Sequence, residues 1–126
     1  MPTRPQPLLV VADVRRASRW YQQVLKAASG HGGDEYDQVL VDGSMVLQLH
    51  ALGAIHHHGA LADPNVPFGN GVAVWFETDD FDAVVRRSRD ARADVVADVH
   101  VNPNAGHREL WLRDPDGYLV VFAEVT

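Results

Sequence analysis

The chain has 126 residues, with 11 Lys and Arg against 17 Asp and Glu and a formal net charge of -6. That length suits one domain with its own core, and the acidic balance excludes a broad phosphate-tracking surface of the kind a nucleic-acid partner needs. The absence of cysteine excludes a disulfide framework, a thiolate zinc site and a cysteine nucleophile, so any metal must take His or carboxylate ligands.

The first apolar run, Pro7 to Ala12, is closed by Asp13 and reads as a buried strand ending at a helix N-cap. A helix follows, because Val14, Ala17, Tyr21, Val24, Leu25 and Ala28 recur at the spacing of one helical face while Arg15, Arg16, Arg19, Gln22, Gln23 and Lys26 fill the other. Gly30, Gly32 and Gly33 are expected to end it. Gln38 to Val41 and Met45 to Leu49 then flank Asp42-Gly43, a pair that supplies the positive φ of a tight hairpin. Between Gly53 and Gly71 stand two Pro, four Gly and the triplet His56-His57-His58, with no sustained period, so this stretch reads as a connecting loop.

The same order then recurs. Val72 to Glu77 reads as a strand, Asp79 or Asp80 as a cap, and Phe81, Val84, Val85, Ser88 and Arg92 as a helical face. Strands are expected over Val95 to Val101, Arg108 to Arg113 and Tyr118 to Glu124, the last two joined by the turn Asp114-Pro115-Asp116-Gly117. Asp13 and Asp80 stand 67 positions apart at equivalent joints, and Asp42 and Asp116 stand 74 apart at equivalent hairpins. The offset is nearly constant, which marks an internal duplication. The expected organisation is a single domain over 1–126, with a first module over 7–52, a connecting loop over 53–71 and a second module over 72–126. No apolar run approaches the roughly 20 residues that span a bilayer, and Met1-Pro2-Thr3-Arg4-Pro5 leads into no apolar signal region. A soluble, cytoplasmic protein without a membrane or nucleic-acid partner is expected.

A duplicated strand-helix-three-strand unit, closing on Gly106-His107-Arg108-Glu109-Leu110-Trp111-Leu112-Arg113-Asp114-Pro115-Asp116-Gly117-Tyr118, resembles the vicinal oxygen chelate superfamily of glyoxalases, extradiol dioxygenases, and fosfomycin and bleomycin resistance proteins. The likeness runs from Leu8 to Glu124. It implies an α+β fold of two tandem βαβββ modules whose curved mixed sheets form a cleft. Metal-dependent members take their ligands from positions that fall here on Gln6, Gln48, Ala73 and Val121. Ala73 and Val121 cannot bind an ion, and two neutral amides are poor substitutes for His and carboxylate. No metal and no cofactor is therefore expected.

If those positions face inward, strand alternation lines the cleft with Leu8 and Val10, with Val46, Gln48 and His50, with Ala73, Trp75 and Glu77, and with Leu119, Val121 and Ala123. Leu9, Val11, Leu47, Leu49, Val74, Phe76, Val120 and Phe122 would face the helices. An apolar wall with an indole, an imidazole and amides suits a flat or aromatic small molecule, although Trp75 could equally fill the space between modules. The run Gly106-His107-Arg108-Glu109 is similar to the Gly-x-Arg-Glu-Phe segment of bleomycin resistance proteins, with Leu110 in place of the aromatic. His107, Glu109 and Trp111 share a strand face, where an imidazole and a carboxylate could form an acid-base pair or half a metal site. The competing reading is a partly exposed edge strand on which Arg108 and Glu109 make ordinary ion pairs. The triplet His56-His57-His58 lies in a loop without the geometry that aims two rings at one ion, and Asp13 and Asp80 read as helix caps.

The resulting expectation is metal-independent capture of an aromatic or planar small molecule, bleomycin resistance-like, by Gln48, His50, Trp75, His107, Glu109, Trp111 and Val121, with no catalytic residue named. The alternative is a metal-dependent lyase, isomerase or dioxygenase with a displaced ligand set drawn from His50, His100 or His107 with Glu109. The resemblance also implies a homodimer in which modules pair across chains, the alternative being that the two modules close on each other within one chain.

Overall fold

The computed structural model describes residues 4–53 and 61–125. His56-His57-His58 and the metal question attached to them lie outside the described residues. The chain divides into two compact units, Met1–Val66 and Pro67–Thr126.

In the first unit, β1 (Leu8–Val11) leads through Asp13 into α1 (Val14–Leu25), followed by β2 (Ala28–Ser29), β3 (Tyr36–Val41) and β4 (Ser44–Ala51). The Asp13 carboxylate accepts from the Arg16 N–H at 3.0 Å, satisfying one of the donors that every helix start leaves open. Val14, Ala17, Tyr21 and Val24 are buried on one stripe of α1, which packs across β3 and β4. Val11, Val39, Leu47 and Leu49 are likewise fully buried, each such side chain contributing about 1.5–3 kcal/mol of burial. The sheet runs β1-β4-β3-β2, with β1 parallel to β4 and the other pairs antiparallel. Asp42 and Gly43 turn the β3–β4 hairpin with φ of 50 and 80 degrees, the paired positive values that match strand twist.

Two expectations fail here. The helix stops at Leu25, because Lys26 takes a left-handed conformation (φ 54) and returns its N–H to the Gln22 carbonyl. Ala28 is therefore exposed in β2 and not on the helical face, and Gly30, Gly32 and Gly33 shape the passage from β2 to β3 instead of ending α1.

The second unit repeats the order with β5 (Ala73–Thr78), α2 (Phe81–Asp90), β6 (Asp94–Val101), β7 (Arg108–Arg113) and β8 (Leu119–Glu124). Its sheet runs β5-β8-β7-β6, again with one parallel pair, β5 with β8. Phe81, Ala83, Val84 and Ser88 form the buried face of α2, which packs on β8, and Phe76 stacks on Phe122 at 5.6 Å between centroids. Asp114 organises the last hairpin, its Oδ1 accepting from the N–H groups of Asp116 and Tyr118 at 2.9 Å. Asp80 occupies the N-cap position of α2 but its side chain makes no capping bond, so its expected role is not met. Arg92 lies beyond α2 with φ 53 and belongs to no helical face.

The architecture is α+β, two βαβββ modules each built on a four-stranded mixed sheet and one helix. No helix among the described residues is long and apolar enough to cross a membrane.

Candidate functional site

Each sheet has one face against its helix and one opposite it, and strand alternation assigns the expected site residues to the opposite faces. In the first unit, register sets Gln38 beside Gln48 beside Leu8, and Tyr36 beside His50 beside Val10. These side chains are chained together. The Tyr36 hydroxyl donates to Gln48 Oε1 at 2.6 Å, Gln38 Nε2 donates to that hydroxyl oxygen at 3.3 Å, and Gln48 Nε2 donates to the Gln6 carbonyl at 2.9 Å. His50 is 4% exposed, and its Nδ1 lies 2.8 Å from the Ala51 carbonyl. A carbonyl only accepts, so Nδ1 carries a proton.

In the second unit, one row across the sheet reads Trp75, Val121, Trp111 and Ala97, and the next reads Glu77, Ala123, Glu109 and His100. Glu109 is fully buried, and its carboxylate collects three donors. Trp111 Nε1 donates to Oε1 at 2.9 Å, Asn102 Nδ2 to Oε2 at 2.8 Å, and His107 Nε2 to Oε2 at 2.6 Å. Burial pushes this carboxyl up, but the hydrogen bonds from Asn102, Trp111 and His107 together outweigh it and hold the group below its ordinary value. The His100 ring meets Trp111 edge-on at 5.6 Å, and its Nε2 stands 4.0 Å from Glu109 Oε1. Trp111 is thus fixed through its N–H and braced at its edge. Trp75, on the outer strand β5, is 52% exposed.

The edge-strand reading of Arg108 and Glu109 is half corrected. β7 lies between β8 and β6, so it is interior, and Glu109 pairs with site side chains and not with an arginine. Arg108 does make ion pairs, with Glu124 at 3.1 Å and Asp82 at 3.1 Å, while lying over the Phe81 ring.

The expected residues fall on the two units separately: Gln48 and His50 share the face of the first, and Trp75, Glu109, Trp111 and Val121 share the face of the second, with His107 joined to them through Glu109. Their access differs. Val121 is 1% exposed and forms the floor between the two indole-bearing strands, whereas Trp75 presents open surface. The sequence does not single out Asn102. Its signal was only a turn-like Asn102-Pro103-Asn104, and nothing in that turn announces that its first side chain folds back onto a carboxylate seven residues on. Tyr36 and Gln38 were missed too, although alternation from Gln48 across an antiparallel pair reaches both.

The residues at the superfamily's ligand positions do not fit a divalent ion. Ala73 and Val121 offer only hydrocarbon, and both ends of the Gln48 amide are engaged, by Tyr36 and by the Gln6 carbonyl. Among the described residues no group of three or more His, Asp or Glu is gathered as a metal shell requires.

Comparison with solved structures shows how widely this architecture is shared. TioX from Micromonospora sp. ML1 superposes with a TM-score of 0.77 at 21% identity, covering 98% of both chains. The lactoylglutathione lyase of Agrobacterium tumefaciens gives 0.70 at 22% identity over 98% of this chain and 94% of that one. The fosfomycin resistance protein FosX of Mesorhizobium loti gives 0.68 at 14% over 100% and 94%. No curated protein matches the sequence. The model of the Glyoxalase/Bleomycin resistance protein/Dioxygenase superfamily matches residues 4–122, from ahead of β1 into the last strand, β8, and the chain belongs to this superfamily.

Proposed function

We propose that the protein binds a small aromatic or planar molecule without a metal of its own, in the manner of the bleomycin resistance branch, and that the open sheet face of the second unit supplies the contact surface. The observation that carries this reading is the exposed indole of Trp75 set across the buried Val121 from Trp111, whose ring is locked by Glu109. In the single chain this indole keeps 52% of its surface open, and a flat ring stacked on it gains on the order of 1 kcal/mol beyond area burial. Glu109 and Val121 act from beneath, positioning the indoles and His107, and His107 offers its second ring nitrogen to a polar group of the ligand. Gln48 and His50 enter the proposal as polar contacts on the first unit's own sheet face.

Fluorescence titration with bleomycin and a panel of fused-ring heteroaromatics tests it. Trp75→Ala should weaken any binder about tenfold while leaving thermal stability nearly unchanged; a binder held equally well by Trp75→Ala and His50→Ala variants removes these residues from the site. The second reading, a metal-dependent lyase, isomerase or dioxygenase, draws on the 2.6 Å contact between His107 and Glu109. Elemental analysis of untagged protein before and after a chelator separates the two: a stoichiometric, tightly held ion that depends on Glu109 favours the second. The homodimer belongs to the same proposal, and light scattering at micromolar concentration should give twice the chain mass of 13.9 kDa.

A further inference from the structure

A cavity of about 260 Å³ lies in the first unit on the helix side of the sheet, away from the face that carries Gln48 and His50. Arg15, Ser18, Arg19 and Gln22 of α1 form one wall, and Ser29, Gly32, Gly33 and Asp37 form the other. The hydrogen-bonding capacity of these groups can be followed atom by atom. Asp37 Oδ1 accepts from Ser29 Oγ at 2.6 Å and from the N–H groups of Gly32 at 2.7 Å, Gln38 at 2.8 Å and His31 at 3.2 Å. Its Oδ2 accepts from Ser18 Oγ at 2.5 Å. Ser18 in turn accepts from Gln22 Nε2 at 2.8 Å, and the Gly33 N–H is taken by the Tyr36 carbonyl. The one carboxylate in the lining is therefore fully occupied by the protein's own donors.

The two guanidinium groups are not. Arg19 has no hydrogen-bond or ion-pair partner among the described residues. Arg15 engages exposed Asp34 through Nε, which leaves its terminal nitrogens open, and an ion pair between two exposed groups competes weakly with a bound anion. Arg15 and Arg19 stand four residues apart on one helical face, where like charges repel. An incoming oxyanion would relieve that repulsion and meet a guanidinium fork suited to carboxylate or phosphate geometry.

We infer that this cavity is a second binding site, separate from the indole-bearing face, for a small oxyanion group of a phosphate or carboxylate, gripped by Arg19 and Arg15. The test is amide NMR on the full chain at low ionic strength, titrated with inorganic phosphate and, in parallel, with acetate. Saturable shifts centred on Ser29, Gly32 and Gly33 are expected, and the tighter of the two anions identifies the group. Arg19→Gln should weaken the binding about tenfold, the loss of one charge-assisted contact, and Arg15→Gln by less because Asp34 already engages it. Arg86→Gln, which removes an exposed cation from α2 with the same change in net charge, should leave the binding unaltered. No saturable shift with either anion, shifts spread over exposed residues without a centre at the cavity, or equal weakening by Arg19→Gln and Arg86→Gln would each overturn the site.

Discussion

Asp37 and Glu109 are each the second residue of the third strand in their sheet's order, β3 in one unit and β7 in the other. Both are buried, yet they serve opposite sides of equivalent sheets. Asp37 stands opposite Leu49, on the helix side, and Glu109 opposite Ala123, on the open side. In a strand with a period of two, a shift of one residue carries a side chain through the sheet. The first carboxylate is consequently satisfied by hydroxyls and backbone N–H groups and ties the β2–β3 connection to α1. The second is satisfied by an indole, an amide and an imidazole and orders side chains on the open face. A duplicated fold can thus spend the same kind of group on architecture in one copy and on a surface in the other.

Removing each carboxylate is the most direct way to break the comparison. Asp37→Ala leaves five donors without their acceptor, so urea unfolding should show a loss of about 3 kcal/mol; a loss no greater than that of an ordinary surface change would contradict the clamp. Burial raises the Asp37 carboxyl, and the bonds from Ser18, Ser29, Gly32 and Gln38 more than offset it, bringing it from 3.8 down to about 2. Because its value in the folded state is depressed, its contribution is complete above its unfolded value and is lost as the pH falls through about 2. Acid unfolding of Asp37→Ala should be flatter than that of the parent over this window.

Glu109→Gln keeps the shape but turns a charged acceptor into a neutral amide, and a smaller loss of about 1–2 kcal/mol is expected. Its distinguishing readout is local. Trp111 emission and any ligand affinity should change in Glu109→Gln and stay constant in Asp37→Ala at temperatures where both are folded; the reverse pattern would place Asp37 and not Glu109 behind the open face. Glu109 is also held low, so its contribution is present above the ordinary carboxylate value and fades as the pH drops below it.

The helix starts offer the finest comparison. Asp13 bonds the Arg16 N–H while Asp80 caps nothing, so Asp13→Ala should cost about 1 kcal/mol and Asp80→Ala only a few tenths. Thermal melts of the two variants resolve this difference, and equal losses would refute the asymmetry.

The order of elements was legible in the sequence because it rests on local physics. Alternation in Val74 to Phe76, the 3–4 spacing of Val14, Ala17, Tyr21 and Val24, and the positive φ demanded of Asp42-Gly43 are properties of short windows, and repeating them fixed both modules. Strand parity likewise pairs Trp75 with Val121 and, separately, Glu109 with Trp111, while the cross-strand register is what puts the two pairs on one face. The helix end at Lys26 was not legible, since a left-handed lysine leaves no composition signal when three glycines follow within a few residues. Only the tertiary structure decided that Glu109 is interior and gathers Asn102, His107 and Trp111, that Asp80 makes no side-chain capping bond, and that Asp37 lines a cavity beside Arg15, held by Asp34, and Arg19. Those outcomes depend on which donors approach an atom across strands and loops, and a hydrogen bond of 2.6 to 2.9 Å is set by the meeting of distant segments, a distance that no periodicity along the chain encodes.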